Sequence, residues 1–149
     1  MTTPDENKEI VQRVQYDTYT GEEDLDVIDE LVSDEFVMHD PVSGDIHGPD
    51  GFKEYVETFQ KAFGELTLSV EHMVVEDDIV ASHGTARGTH EGQFPGLDVE
   101  PTGEEFEASG MEIDRIEDGK LVESWFMPDA LGLLQQLGAL PEEGVSPEH

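Results

Sequence analysis

In the N-terminal half of the chain apolar residues recur every three or four places, and beyond Gly64 they recur every second place. Ile10, Val11, Val14 and Tyr19 fall on one side of the segment Asp5 to Tyr19, which predicts an amphipathic helix with Gly21 beyond its end. In EDLDVIDELV, Leu25, Ile28, Leu31 and Val32 share a stripe and predict a second, short helix. EFVMHDP reads as a strand or extended segment ended near Pro41, with Phe36 and Met38 turned one way and Val37 and His39 the other. GDIHGPDG is a turn-rich link, and Asp50 is a candidate cap for a third helix through Phe63. That helix carries Phe52, Tyr55, Val56, Phe59 and Phe63 as a core-facing stripe.

LTLSVEHMVVE, IVASHGTARGTH, EFEASGMEIDRI and KLVESWF then read as four strands. They are separated by the acidic turn at Asp77 and Asp78, a longer glycine- and proline-bearing loop, and the tight turn EDGK, links that favour antiparallel neighbours. Asp129 to Leu137 makes a short helix bearing Leu131, Leu133, Leu134 and Leu137, stopped by Gly138. The expected organisation is one domain over residues 1–140 and a flexible acidic tail over 141–149. Its class is α+β, with helices covering one face of a curved antiparallel sheet. The other face, with Val70, Val74 or their neighbours, needs a cover. Apolar residues at both parities of the last strand, including Leu121, Val122, Trp125 and Phe126, point to a homodimer interface there.

Composition narrows the function classes. A length of 149 residues suits one domain. The absence of cysteine excludes disulfides and thiolate chemistry. Acidic residues number 37 against 7 basic, a formal net charge of -30, and such a surface repels nucleic acid and anionic membranes. The start MTTPDENKE has neither a basic region nor an apolar run, and no stretch approaches the roughly 20 apolar residues of a membrane helix, so a cytoplasmic protein is expected. A hydrophobic content of 36% in periodic patterns argues against disorder. A folded domain with this much self-repulsion fits the salt-rich cytosol of a halophile.

Candidate chemistry is sparse. Ser82, Ser109 and Ser124 lie inside strands with no nucleophile elbow, and GTHEGQFPG lacks the spacing of a dinucleotide cradle. No histidine pair has the i, i+4 metal spacing of a helical site, so no metal is expected. Arg87 and Arg115 read as structural ion-pair partners across the sheet. In SWFMPD, Asp129 is either the N-cap of the last helix or an acid/base group at an apolar cavity that Trp125 and Met127 would line. His39 in VMHDP and His90 at the end of GTARGTH are site candidates or satisfied structural histidines; His47, His72 and His83 have weaker context.

HDPVSG, GTHEGQFPG, PTGEEFEASGMEIDRIEDGKLVESWFMPD and LGLLQQLGA together resemble the SnoaL-like polyketide cyclase, or ester cyclase, family of the nuclear transport factor 2-like superfamily, from about Lys8 to Ala139. The resemblance implies a cone-shaped α+β fold with one deep pocket between helices and curved sheet. It also implies an intramolecular aldol condensation that uses neither metal nor organic cofactor. It places the acid/base aspartate at Asp129, in the W-x-x-x-D pattern begun by Trp125, and turns His39 and His90 toward the cavity to orient a carbonyl or stabilise an enolate. The expected pocket residues are Tyr16, Phe59, Met111, Trp125 and Met127, and the expected partner is a small hydrophobic carbonyl-containing molecule. A dehydratase or hydrolase of the same superfamily, or a noncatalytic binder of a small apolar ligand, uses the same fold.

The charge excess predicts a salt-dependent fold, because molar salt shortens the Debye length to about 3 Å and mutes carboxylate repulsion. The unfolding midpoint is expected to rise steadily with potassium chloride from low to molar concentration. A midpoint indifferent to salt would remove the halophilic reading.

Overall fold

The computed structural model describes residues 3–92 and 100–138. The tail expected over 141–149, and part of the loop expected between the second and third of the four strands, lie outside the described residues. Thr3 starts the first helix through a capping box: its hydroxyl accepts the Glu6 N–H and the Glu6 carboxylate accepts the Thr3 N–H, both at 3.1 Å. Helix α1 (Pro4–Val11) passes into a π-helical segment, Gln12–Asp17, and then α2 (Thr18–Thr20), ended by Gly21 in the left-handed conformation. The expected helix over Asp5 to Tyr19 is therefore one helical run with a widened middle. That widening brings the sequence neighbours Gln15 and Tyr16 both into buried positions.

After α3 (Asp26–Leu31) come β1 (Val32–Asp40) and β2 (Gly44–His47), an antiparallel hairpin where the sequence showed only turn signals. Four mostly exposed residues carry no burial alternation to reveal a strand. Helix α4 (Gly48–Ala62) begins one turn earlier than its apolar stripe. Its capping position is His47, without a side-chain bond, so Asp50 is not the cap; it lies in the first turn, where its charge suits the positive helix end. Strands β3 (Phe63–Glu76), β4 (Ile79–His90), β5 (Glu105–Glu117) and β6 (Lys120–Pro128) follow, then α5 (Ala130–Gln136).

The sheet order is β2-β1-β6-β5-β4-β3. Neighbouring strands pair antiparallel except β1 and β6, which run parallel, and β2 and β3 form the two edges. The sheet is thus mixed, because β3 to β6 build inward from one edge and meet β1 in the same direction. The helices fill the concave side, where Val11, Val14, Ile28, Phe36, Met38, Phe52, Val56, Val80 and Leu121 are fully buried. A second cluster, Phe63, Phe106, Leu133 and Leu137, joins α5 to the sheet.

Two expectations about the convex face change. An irregularity between Val70 and His72 switches strand parity, so Val70 packs into the core while Val74 is 64% exposed. Leu121 and Phe126 face inward, whereas Trp125 faces out. What remains outside is two rows running across the sheet: His72, His83, Met111 and Met127, and Val74, Ala81, Ile113, Trp125 and His39. Met111 is 62% and Met127 67% exposed. Arg87 and Arg115 border these rows, paired with Glu107 and with Glu117 and Glu123.

We propose that a second copy covers this face. It is apolar, it carries cationic or titratable side chains on an otherwise anionic molecule, and a two-fold dimer sets the same patch against itself. Sedimentation at molar salt is expected to show a concentration-dependent dimer that Met111→Glu converts to a folded monomer. A wild-type monomer at every concentration would contradict it.

Candidate active site

Two glycines seat the aromatic rings that border the cavity. Gly84 and Gly110 oppose each other across β4 and β5. A Cβ at Gly84 would stand 2.8 Å from the Tyr16 ring, and one at Gly110 would stand 3.1 Å from the Phe126 ring. The two rings so seated border a cavity of about 120 Å³ between helices and sheet. Gln15, Tyr16 and Glu112 line its buried part, Tyr19, Tyr55, Phe59 and Phe126 its sides, and Val42, Ser43, Pro128 and Asp129 its rim. The volume is close to that of an apolar cavity that holds a single benzene ring, about 150 Å³.

The polar groups around it are mostly spoken for. The Tyr16 hydroxyl donates to Ser82 Oγ at 2.8 Å, and the Tyr55 hydroxyl donates to Asp40 Oδ2 at 2.7 Å. Asp40 Oδ1 accepts the Val42 and Ser43 N–H groups at 2.8 and 3.2 Å, so this aspartate holds the β1–β2 turn and anchors α4 together. Burial pushes the Tyr16, Tyr19 and Tyr55 hydroxyls above their ordinary range, leaving them neutral donors.

On β5, Glu112 and Asp114 both turn inward, two residues apart on the alternation that also buries Phe106 and Ile116. Gln15 Nε2 donates to Asp114 Oδ1 at 3.0 Å and to Ser124 Oγ at 2.9 Å, and the Ser124 hydroxyl donates to the same Asp114 oxygen. Asp114 Oδ2 is buried without a partner among the described residues. Loss of water raises both carboxyls, and the charge of Asp114 raises Glu112 further. The donors on Asp114 oppose its rise, whereas Glu112, with no such donor among the described residues, is pushed well above the ordinary carboxyl range.

Asp129 lies at the exposed rim, where its Oδ1 accepts the Gly132 N–H at 3.0 Å and caps α5. Capping and cavity access therefore coexist in one side chain, although no apolar enclosure surrounds it. Tyr16 and Phe59 line the cavity; Met111 borders it while remaining largely exposed. The expectation for Trp125 and Met127 is corrected: they share a face, but it is the convex one, because Ser124, Phe126 and Pro128 take the inward positions of β6.

His39 and His90 are also corrected, since neither lines the cavity. His39 stands on the convex face between Glu123, 2.8 Å from Nε2, and Asp45, 3.1 Å from Nδ1, stacked on Trp125. The two carboxylates raise its pKa. His90 is fully buried beside Phe63, with Nδ1 accepting the Thr102 N–H at 3.3 Å. Among the described residues no three His, Asp or Glu side chains form a metal-sized group. No described helix is long and apolar enough to cross a membrane.

Asp40, Glu112, Asp114 and Gln15 are not legible as site residues in the sequence, and Tyr19 and Tyr55 are legible there only as core-facing stripe positions. Strand parity carried a signal for three of them, since Asp40 continues the inward positions of Phe36 and Met38, and Glu112 and Asp114 continue those of Phe106 and Gly110.

A mixed sheet curved around helices with a cavity between them is the nuclear transport factor 2-like, or ketosteroid isomerase-like, α+β fold. A Catenulispora acidiphila protein with a ketosteroid isomerase-like fold matches it at TM-score 0.73 and 16% identity, over 95% of this chain and 98% of that one. Within that class the chain belongs to the SnoaL-like polyketide cyclase family, which it matches over residues 9–137. It is similar to IdmH, a candidate polyketide cyclase from Streptomyces antibioticus, at 31% identity and TM-score 0.74, over 89% of this chain and 98% of that one. It is also similar to AclR, a candidate hydroxylase from Streptomyces galilaeus, at 29% identity and TM-score 0.76, over 94% of this chain and 89% of that one. Comparison with curated protein sequences yields no match. These relatives support chemistry of the cyclase or isomerase type.

The acid pair sets a pH dependence. A carboxyl raised in the folded state holds its proton where the unfolded chain has lost it, so its contribution to stability is complete below the ordinary carboxyl range and declines as pH rises through and above it. Unfolding free energy measured at about pH 5 and about pH 8 should fall more for the wild type than for Glu112→Gln, which cannot ionise. Equal falls would mean that Glu112 is charged in the folded protein.

Proposed function

We propose that this protein is a cofactor-independent enzyme that moves protons on a small ester or ketone, and that Asp129 is its acid/base group. The observation that carries this reading is the position of Asp129 at the rim of an apolar cavity, with one oxygen engaged in the helix cap and the other without a hydrogen bond among the described residues. Membership of the polyketide cyclase family supports the reaction class.

In this reading the substrate buries its apolar part among Phe59, Phe126 and the tyrosines. The carbon between its two carbonyls meets the free Asp129 oxygen. Asp129 takes the proton, and the electron pair of the broken C–H bond spreads onto the carbonyls as an enolate. That carbon then forms a bond to a ketone carbon of the same molecule, and the resulting alkoxide recovers the proton from Asp129. A cavity that holds the chain folded supplies much of the rate, because the reacting ends are kept together.

A screen of small β-keto esters tests this by solvent deuterium uptake at the carbon between the carbonyls and by ring closure. Asp129→Asn preserves an oxygen for the Gly132 N–H but cannot carry the proton, so turnover should drop at least about a hundredfold with stability nearly intact. Asp129→Ala should lose the same activity and about 1 kcal/mol of stability. Wild-type turnover by the folded Asn variant would remove Asp129 from the chemistry. Ligands held tightly without uptake would identify a binding protein instead.

A further inference from the structure

Two polar side chains of the cavity make no hydrogen bond with any described residue, the Tyr19 hydroxyl on its side and the Glu112 carboxyl in its buried part. Tyr16 is committed to Ser82, Tyr55 to Asp40, and Gln15 to Asp114 and Ser124. Glu112 lines the cavity, is only 7% exposed, and makes no hydrogen bond with any described residue. A buried carboxyl group left unpaired is costly, and native interiors pair such groups with protein, water or ligand. Its neighbours on the inner face of β5 are Gly110 and Asp114, and Asp114 takes its donors on one oxygen from the π-helical segment and β6, leaving none for Glu112 among the described residues.

We propose that Glu112 donates a hydrogen bond from its carboxyl group to a carbonyl oxygen of the molecule in the cavity, and so selects ligands that carry a ketone or ester oxygen at their buried end. The adjacent Asp114 makes the group a donor. Asp114 accepts the Gln15 and Ser124 hydrogen bonds, which favour its charged form, and a second negative charge on Glu112 beside it is disfavoured. A neutral acid in an apolar wall pairs with an acceptor that is itself uncharged, whereas an amine or other cation would call for a carboxylate. Such a hydrogen bond also strengthens as negative charge grows on the ligand oxygen. The cavity's being the ligand site is shared with the function proposed above. The proton-transfer role of Asp129 is not assumed.

The test is therefore a binding measurement, with no turnover involved. Acetophenone and ethylbenzene have the same ring and nearly the same shape, and differ in the oxygen. Their affinities are measured for the wild type, Glu112→Leu and Glu112→Gln by calorimetry or ligand-observed NMR. Glu112→Leu should lower the ratio of acetophenone to ethylbenzene affinity about tenfold, while Glu112→Gln, whose amide still donates, should keep it within about threefold. Infrared difference spectra supply a check that needs no leucine variant: the neutral carboxyl band should shift when acetophenone binds and be absent from Glu112→Gln. An unchanged affinity ratio in Glu112→Leu, no acetophenone binding to the wild type, no shift of the carboxyl band, or preference for benzylamine over acetophenone would each overturn the proposal. Loss of chemistry in Asp129→Asn leaves all of these readings untouched, so the two proposals fail separately.

Discussion

Two carboxyl groups on one strand have to be buried together, and the arrangement around them ties the helices to the sheet. Glu112 and Asp114 leave water on the same face of β5, where an unpaired charge would cost several kcal/mol. Loss of water pushes Glu112 toward its neutral form, and Gln15 and Ser124 hold one oxygen of Asp114. Gln15 reaches Asp114 from the π-helical segment, and the same widened turn delivers Tyr16 to Ser82 on β4. The irregular turn thus places two adjacent side chains against two different strands, which a regular helix would point roughly 100° apart.

The cavity follows from the same seam. Tyr16 occupies space that a side chain at residue 84 would fill, and Gly110 gives the Phe126 ring its room. Helix α4 supplies Tyr55 and Phe59, and Tyr55 grips Asp40, whose other oxygen organises the β1–β2 turn at the rim. On the far side, α5 is held by Leu133 and Leu137 against Phe63 and Phe106, and its cap is Asp129. Rim and interior are therefore positioned by different elements: a helix cap sets the exposed carboxylate, and strand pairing sets the buried one.

The convex face has its own logic. His39, bracketed by Glu123 and Asp45, ties β1 to β6 and to β2, across the one parallel junction of the sheet. Trp125 stacks on it and lies in the same row as Ile113 and Val74. A chain whose acids outnumber its bases by 37 to 7 keeps Arg87, Arg115, His39, His72 and His83 on or beside this apolar band, which lowers the electrostatic opposition to covering it.

Local pattern alone determined the helical stripe of Phe52, Tyr55, Val56 and Phe59, the four long strands, and the inward pairing of Phe36 with Met38, because period and turn residues act over a few neighbours. It also marked Asp129 as a cap, and a cap it is. What pattern could not decide was which side of a strand is inside. Trp125 and Met127 do share a face, but period two is indifferent to its label, and only the helices packed on the concave side make that face the outer one. The parallel β1–β6 junction and the parity switch after Val70 depend on strands far apart in the chain, so no local signal reports them. Glu112, Asp114 and Asp40 were hidden by the composition itself. Among 37 acidic residues a buried carboxyl looks like a solvated one, and only the closing of the sheet over the helices removes its water and changes its chemistry.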